Sequence, residues 1–353
     1  MHRMESTKQN RLLSAIVGND AIRQRLAHSL RSGTLPHACI LEGPSGSGKH
    51  TIAKHMAAAL ACTADKSQAS TIPCLRCPQC RKVLDGKFPD LILIGREEDK
   101  ATIGVDTIRF LREDVHVIPN DSDHKIYIIE EADRMTEQAQ NAFLLTLEEP
   151  PSYAHFFLLC ENAGMLLETI RSRAPIFRTQ PLTREQIAEY LCEHDDRADQ
   201  MRRTDPRGFN ELIAASGHGI GQALSYLEPK HYTPIKQLRD AVSELLRGGI
   251  EHADAQVLLP LLLRYGNGKR EALQDFLLLL LDAVRDLLLL KKSENAPLSF
   301  YANREEAIAL CDNASLQSLY RLHEAIQAAL DENQRNVNVR LILTKLALDA
   351  EWI

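Results

Sequence analysis

The sequence has 353 residues, of which 44% are hydrophobic and 25% are charged, and its formal net charge at pH 7 is −6. A chain of this length is expected to form two or three domains, because single hydrophobic cores stop growing at roughly 250 residues. The negative charge excludes the broad basic surface with which a protein holds nucleic acid unaided. Any contact with DNA must therefore be local or shared with partners.

The sequence shows no targeting or membrane signal. The first ten residues, MHRMESTKQN, lack the apolar run of a signal peptide. The richest apolar stretch, residues 276–290, is interrupted by Asp282, Arg285 and Asp286, so it predicts a buried helix and not a membrane span. We therefore expect a cytoplasmic protein without membrane contact.

Strand-like and helix-like segments alternate in the first half of the chain. An apolar run at residues 38–41 is followed by a glycine-rich turn and an alanine-rich helix. Further strand-like runs lie at residues 90–95, 125–130 and 155–160, and helix-like segments lie at 105–115 and 136–149. Such alternation predicts an α/β fold with a parallel sheet and helices on both of its faces.

After residue 178 the pattern becomes helical to the end of the chain. Thr183 is a candidate N-cap with Gln186 three residues on, the spacing of a capping box. Helix breaks are predicted at the glycines of residues 216–224, at Pro229 and Pro234, and at the glycines near residue 267.

This pattern predicts three domains. Residues 1–180 form a nucleotide-binding-type α/β domain, residues 181–232 a small helical domain, and residues 233–353 a helical C-terminal domain.

Residues 43–50, GPSGSGKH, follow the first predicted strand and resemble a phosphate-binding loop. In the pattern G-x-x-x-x-G-K-[ST], glycines let backbone N–H groups point at phosphates and the lysine contacts the outer phosphates. Gly43, Gly48 and Lys49 fit this pattern, and Gly46 adds a further loop glycine. The strand before the loop and the helix after it favour nucleotide binding, with ATP and Mg²⁺ as the cofactors. The alternative is a glycine-rich turn that only packs strand on helix.

The last position of the loop departs from the pattern. His50 stands where a hydroxyl is expected to ligate Mg²⁺, and imidazole is a poor ligand for this hard, oxygen-seeking ion. Thr51 offers the nearest hydroxyl and is kept as a candidate, although it lies about 100° further around the helix. Hydrolysis of a bound nucleotide is therefore a weaker prediction than binding.

The strand at residues 125–130 ends in two acids, Glu130 and Glu131. In nucleotide hydrolases the first such acid orders the Mg²⁺ shell and the second polarises the attacking water. Here the first acid is glutamate, where aspartate is more usual. We expect a degenerate acidic pair at the phosphate loop; the alternative is that a strand end simply happens to carry acids.

Four of the eight cysteines, Cys62, Cys74, Cys77 and Cys80, fall within residues 62–80. Two-residue spacings let the sulfurs converge in tight turns, and four thiolates complete a tetrahedral zinc site with no open position. This pattern predicts a structural zinc module; the alternative is four reduced, unligated thiols. The scattered Cys39 and Cys160 lie in apolar strands and are expected in the core.

With these residues placed, residues 14–178 resemble the clamp-loader family of AAA+ proteins. The similarity is carried by IVGNDAIRQRLAHSLRSGTLPHACILEGPSGSGK, FPDLILI, IGVDTIRFLRED, KIYIIEEADRMTEQAQNAFLLTLEEPP and ETIRSRAPIF. The resemblance implies an AAA+ domain of the P-loop NTPase type with an inserted zinc module. A small helical lid domain and an all-α collar domain would follow it.

The resemblance also implies roles for single residues. The family's Ser-Arg-Cys motif, whose arginine enters the nucleotide site of the neighbouring subunit, reads Ser-Arg-Ala at residues 172–174. Arg173 is therefore the candidate trans arginine finger, and Arg171 competes for this role. Asn162 is the nearest match to the sensor of the γ-phosphate. The position of the lid arginine falls on Gly221.

Two functions follow from the resemblance. In the first, the chain is a non-motor partner that completes a hetero-oligomeric ring with gamma- or tau-type motor subunits and a delta-type subunit. The sliding clamp and primer-template DNA are then partners through the whole complex. In the second, it is itself an ATP-hydrolysing motor. The residues at positions 50, 162 and 221 favour the partner role. A sequence-specific DNA-binding protein is a third class, and no recognition motif supports it.

Overall fold

The structure is a computed structural model that describes residues 13, 16–64, 73–97, 100–264 and 270–352. The chain divides into two compact units, Met1–Gln186 and Ile187–Ile353. The proposed boundary between a lid and a collar, at residues 232 and 233, lies inside a continuous helix of the second unit. The division into three domains stays a prediction.

The first unit alternates helices and strands. Its elements are α1 (Asp20–Ser32), β1 (Ala38–Glu42), α2 (Lys49–Ala61), α3 (Pro78–Leu84), β2 (Leu91–Ile94), α4 (Val105–Asp114), β3 (Lys125–Ile129), α5 (Glu137–Glu148), β4 (Ala154–Cys160), α6 (Glu168–Arg171) and β5 (Ile176–Arg178). Two short 3₁₀ turns, Ala132–Arg134 and Ala163–Met165, follow β3 and β4.

The five strands form one parallel sheet in the order β2-β3-β4-β1-β5. This confirms the predicted parallel α/β sheet and the four strands expected from the sequence. The fifth strand, β5, was not expected, because three residues give too little alternation to be recognised. Since β1, β4 and β3 are parallel, the loop after β1 and the acids after β3 both lie at the carboxyl ends of the strands, one strand apart.

Both faces of the sheet are buried, as β3 illustrates. Ile126 and Ile128 point into a core with helices α1, α2 and α3, whereas Tyr127 and Ile129 point into a second core with α4 and α5. All five residues of β3 are buried. A parallel strand covered on both faces is largely apolar, which explains why residues 126–129, IYII, show no polar alternation.

The helix α7 (Arg184–His194) contains the boundary between the units. It begins with the predicted capping box: Gln186 N–H donates to Thr183 Oγ1 at 3.2 Å, and Thr183 N–H donates to Gln186 Oε1 at 3.0 Å. Two otherwise unpaired backbone donors are thereby satisfied at the helix start.

Every regular element in the described part of the second unit is a helix. After α7 these are α8 (Asp196–Thr204), α9 (Pro206–Ala215), α10 (Ile220–Tyr226), α11 (Pro229–Ile250), α12 (Ala255–Leu263), α13 (Arg270–Lys292), α14 (Arg304–Asn313), α15 (Leu316–Gln334) and α16 (Val339–Asp349). The predicted break near residue 267 lies outside the described residues.

The break predicted at Pro234 is wrong, because α11 runs through it. Proline there removes only one backbone hydrogen bond near the start of a 22-residue helix. Further along, Val242, Leu245 and Leu246 are buried in the core of the second unit. Their packing outweighs the local cost of the proline.

The apolar stretch at residues 276–290 is a buried helix, as predicted, and forms most of α13. Phe276, Leu280 and Leu287 are fully enclosed in the core. Across the described residues, no helix is both long and apolar enough to cross a membrane.

Candidate nucleotide and metal sites

The glycine-rich loop joins β1 to α2, and its first glycine is fixed by close packing. A Cβ atom on Gly43 would lie 2.1 Å from Thr179 Oγ1, so no larger residue fits without moving the backbone. The Thr179 hydroxyl also contacts the buried Ser47 Oγ at 2.7 Å. Gly46 and Gly48 have φ angles of 76° and 86°, which side chains disfavour.

Lys49 is the first residue of α2, and its side chain turns back into the loop. Its ammonium group donates to the carbonyl oxygens of Gly43 and Pro44. Burial lowers the pKa of Lys49, while the nearby acids Glu161 and Asp133 oppose this shift. The lysine would have to exchange these loop carbonyls for phosphate oxygens in order to bind a nucleotide.

His50 and Glu130 contact each other. They stand at the two positions, the loop hydroxyl and the first acid, where residues that hold Mg²⁺ are expected. Nε2 of His50 lies 2.9 Å from Oε1 of Glu130, and the two side chains are 49% and 43% exposed. The hydrogen bond from His50 lowers the pKa of Glu130, against an opposing effect of burial. Thr51 is exposed on α2, and it is His50 that contacts the strand acid.

Glu131, the second acid, forms a bidentate ion pair with Arg96, which follows β2. Nε of Arg96 donates to Oε2, and Nη2 lies 3.1 Å from Oε1. The backbone of Glu131 has a φ angle of 47°, in the left-handed region. Both carboxylate oxygens are thus engaged by a guanidinium, a geometry that is stronger than a single contact. Nothing in the sequence around Arg96 predicts this contact with Glu131.

The sensor candidate Asn162 follows β4. Its Oδ1 accepts the N–H of Gly164 at 2.8 Å and so caps the short turn after the strand. Asp133 holds the same segment through the N–H groups of Glu161 and Asn162, at 3.1 and 3.3 Å. In this arrangement the amide oxygen of Asn162 serves the local backbone.

Asn19, just before α1, ties the loop to the segment after β5. Its Nδ2 donates to the carbonyl oxygens of Ser47 at 3.2 Å and Gln180 at 3.3 Å, and its Oδ1 accepts the Gln180 N–H at 2.7 Å. Asn19 was not among the predicted site residues. The Gly-Asn pair before a helix could have indicated a tight turn there, because asparagine tolerates the left-handed backbone that Asn19 adopts, with φ 53°.

The two arginine candidates near α6 differ in their contacts. Arg173 donates to Glu148 Oε1 at 3.0 Å and to the Thr169 carbonyl at 3.1 Å. Arg171 instead donates through Nε to the carbonyl of Leu166. Arg173 is therefore held by a carboxylate, and Arg171 by the backbone of its own segment.

At the lid position, Gly221 is the second residue of α10, and a Cβ added there would meet nothing within 4 Å. Packing in this unit does not require glycine at the position.

The four clustered cysteines converge as their spacing predicts. The sulfur atoms of Cys62, Cys74, Cys77 and Cys80 all lie within 4.8 Å of one another. Sulfurs bound to tetrahedral zinc at 2.3 Å are about 3.8 Å apart, so small movements would complete such a site. Backbone N–H groups of Cys77 and Cys80 point at the sulfurs of Cys74 and Cys77, each at 3.4 Å.

These N–H groups favour a thiolate. Burial raises the pKa of Cys77, but hydrogen bonds from the backbone N–H groups of Cys80 and Thr63 outweigh this effect and bring the pKa down to about 6. The donor set suits zinc: four soft sulfur ligands, one of them readily ionised.

Several known proteins resemble part of this chain. Residues 18–183 match the family described as DNA polymerase III, delta subunit. DNA polymerase III subunit tau of Escherichia coli (strain K12) is 29% identical over 255 residues, which cover 72% of this chain and 38% of that protein. DNA polymerase III subunit delta' of Bacillus subtilis (strain 168) is 33% identical over 174 residues, 49% of this chain and 51% of that one.

The chain thus spans about half or less of the length of these curated relatives. A solved structure of a DNA polymerase III gamma subunit-related protein from Thermotoga maritima is 21% identical, covers 93% of this chain and 98% of its own, and has a TM-score of 0.44.

Proposed function

We propose that this chain, which belongs to the DNA polymerase III clamp-loader family, is a non-motor subunit of a clamp-loader ring, of the delta-prime type. It would sit beside gamma- or tau-type motor subunits and a delta-type subunit in the cytoplasm. The ring would load a sliding clamp onto primed DNA at the expense of ATP. The contribution of this subunit would be Arg173, inserted into the nucleotide site of a motor neighbour.

One observation carries the non-motor role: both acids after β3 are engaged by cationic or proton-donating side chains of the same chain. Glu130 pairs with His50, and Glu131 pairs with Arg96. An acid whose two oxygens are both bonded to a guanidinium is a poor group to polarise a water, because neither oxygen is free to accept the water's hydrogen. Loss of one group that stabilises the developing charge costs several kcal/mol of barrier.

Arg173 suits the trans role because its charge is accessible. Its side chain is 38% exposed and its partner Glu148 is 49% exposed. A guanidinium on a short helix can exchange one exposed carboxylate for the phosphate oxygens of a neighbour. Such an arginine stabilises the charge that builds during phosphoryl transfer.

The cysteine cluster, the helical domains and the phosphate loop would support this role. Cys62, Cys74, Cys77 and Cys80 would hold a structural zinc ion that fixes α3 against α2, supplying stability and no chemistry. Residues 181–232 would form the lid domain, and residues 233–353 the collar that holds the ring together. The phosphate loop, with Lys49, would bind ATP without promoting its hydrolysis.

A motor role is the second candidate, and similarity to the E. coli subunit named tau over 72% of this chain favours it. The two functions differ in the turnover of the isolated chain. We expect the purified protein to show no ATP hydrolysis above that of its Lys49→Ala variant. Robust hydrolysis that Lys49→Ala abolishes would overturn the non-motor role in favour of the motor.

A further inference from the structure

We infer that the phosphate loop of this chain takes a nucleoside phosphate without a divalent cation, because the pair His50–Glu130 occupies the place of the loop hydroxyl and the metal-ordering acid. This inference rests on the proposed function only in that the loop cradles phosphates. It concerns this chain's own loop, and it is independent of whether Arg173 acts on a neighbour.

The donor set argues against Mg²⁺. This ion requires a nearly octahedral shell of oxygen ligands and gives up its water reluctantly. The loop offers it an imidazole at His50, which is a poor partner for a hard ion. The imidazole is moreover bonded to Glu130 at 2.9 Å, and both oxygens of Glu131 are engaged by Arg96. The acid that would order the metal shell and the acid that would polarise the attacking water are therefore both engaged by side chains of this chain.

The hydrogen bond between His50 and Glu130 also occupies an acid that would otherwise face the phosphate. A carboxylate next to a phosphate is repulsive, and in magnesium-dependent sites the cation between them offsets that repulsion. Here Nε2 of His50 lies 2.9 Å from Oε1 of Glu130 and hydrogen-bonds to this carboxylate. One oxygen of the acid is thereby occupied by a side chain of the same chain, without any ion having to bind first.

Attraction for the phosphate comes from the loop itself. Lys49 holds its ammonium group against the carbonyls of Gly43 and Pro44, at the start of the 13-residue helix α2. The first N–H groups of a helix and its dipole favour an anion at this end. Glu161 and Asp133 lie close enough to act on Lys49, so they oppose the anion and limit its affinity.

Added Mg²⁺ should affect nucleotide binding in a definite direction. Mg²⁺ binds ATP in solution, so a site that prefers the metal-free nucleotide loses its ligand to the metal. Added Mg²⁺ should leave the apparent affinity unchanged or weaken it. A loop that uses the metal shows the opposite, since the ion then bridges protein and phosphates.

The test is a titration of the full chain with ATP that carries a fluorophore on its ribose, in EDTA and in excess Mg²⁺. We expect binding in EDTA that is at least as tight as in Mg²⁺, and loss of binding in Lys49→Ala. His50→Ser restores the loop hydroxyl and releases Glu130, so Mg²⁺ should strengthen its binding about tenfold or more, which is about 1.4 kcal/mol. His50→Ala, which lacks the hydroxyl, should gain much less.

Two results would overturn the inference: binding by the unmodified chain that is several-fold tighter in Mg²⁺, or no binding above the Lys49→Ala background in either condition. Circular dichroism and thermal unfolding establish that each variant is folded. Neither result bears on Arg173, whose role is measured on the assembled complex, so failure here is distinguishable from failure of the proposed function.

Discussion

Arg173 and Glu148 form an ion pair in which Nη2 of the arginine lies 3.0 Å from Oε1 of the glutamate. Both side chains are well exposed, and exposed pairs of this kind contribute only about 0.2–1 kcal/mol. A phosphate group in a dry interface offers a stronger partner for a guanidinium. The pair therefore orients the Arg173 side chain, and its small contribution would not prevent the change of partner that the proposed function requires.

We predict that Arg173→Ala lowers the ATPase rate of a complex reconstituted with gamma- or tau-type motor subunits by about 10²-fold or more, because removal of a single donor to developing charge has effects of this size. Assembly, followed by size-exclusion chromatography, should be unchanged. The measurement is steady-state phosphate release at saturating ATP.

Arg171→Ala is the matched control, since it removes a neighbouring guanidinium that is bonded to the Leu166 carbonyl. Its complex should keep most of the ATPase rate. An unchanged rate for Arg173→Ala would remove that residue from the mechanism, and a selective loss with Arg171→Ala would transfer the role to Arg171. Glu148→Gln should leave the rate close to that of the unmodified complex.

A second prediction concerns the phosphate loop as a packed structure. Gly43→Ala should destabilise the protein by about 1–3 kcal/mol or more, because the added methyl group would overlap Thr179 Oγ1 at 2.1 Å and its carbonyl oxygen at 2.9 Å. Gly48→Ala is the control. It also has an unfavourable φ, 86°, but its Cβ would enter open space, so only about 1 kcal/mol of strain is expected.

Calorimetric unfolding compares the two variants. Equal melting temperatures for Gly43→Ala and Gly48→Ala would mean that the contact with Thr179 does not constrain the loop.

The sequence predicts features that a few neighbouring residues determine. The long apolar strand at β4, the capping box of Thr183 and Gln186, and the convergence of C-x-x-C sulfurs all depend on local spacing. The pairs that define the candidate site are not local. Arg96 and Glu131 are 35 residues apart, and they meet only because β2 and β3 are neighbours in the sheet.

Local rules also fail where tertiary packing is stronger. Pro234 reads as a helix break, yet α11 continues through it toward a buried face that includes Leu245. In the sequence Asp286 is a polar interruption of an apolar helix, yet it is fully buried. The backbone N–H groups that donate to it lie in a loop beyond the end of α13, and the periodicity of α13 does not predict them.

A third prediction concerns the cysteine cluster. Protein purified without chelator should contain about one zinc ion per chain by elemental analysis. Chelation should lower its melting temperature, because a structural ion binds the folded state and thereby stabilises it against unfolding. Cys77→Ser should lose the ion, because a hydroxyl replaces an anionic sulfur ligand.

Cys192→Ser serves as the control, because this partly exposed cysteine lies on α7 outside the cluster. It should keep both zinc and stability. Zinc-free protein with an unaltered melting temperature would favour four unligated thiols.

The last prediction contrasts two acids on α13. Asp286 accepts the N–H groups of Ser299, Phe300 and Tyr301 at 2.7–3.1 Å and is fully buried. Asp286→Asn replaces one oxygen by an amide group that faces donors, so it should lower the free energy of unfolding by about 3 kcal/mol. The fluorescence of Trp352, the chain's single tryptophan and a buried residue of the second unit, reports this in urea titrations.

Asp282→Asn should act in the opposite direction. Burial raises the pKa of Asp282 above its ordinary value of 3.8, although Arg285 opposes the shift. A raised pKa means that the folded state holds the proton more tightly, so this residue costs stability once the pH rises above the pKa of the unfolded chain. Asp282→Asn removes that cost and should leave the protein as stable or more stable at pH 7, with a smaller loss of stability between acidic and neutral pH. A destabilisation equal to that of Asp286→Asn would show that Asp282 also makes essential hydrogen bonds in the folded state.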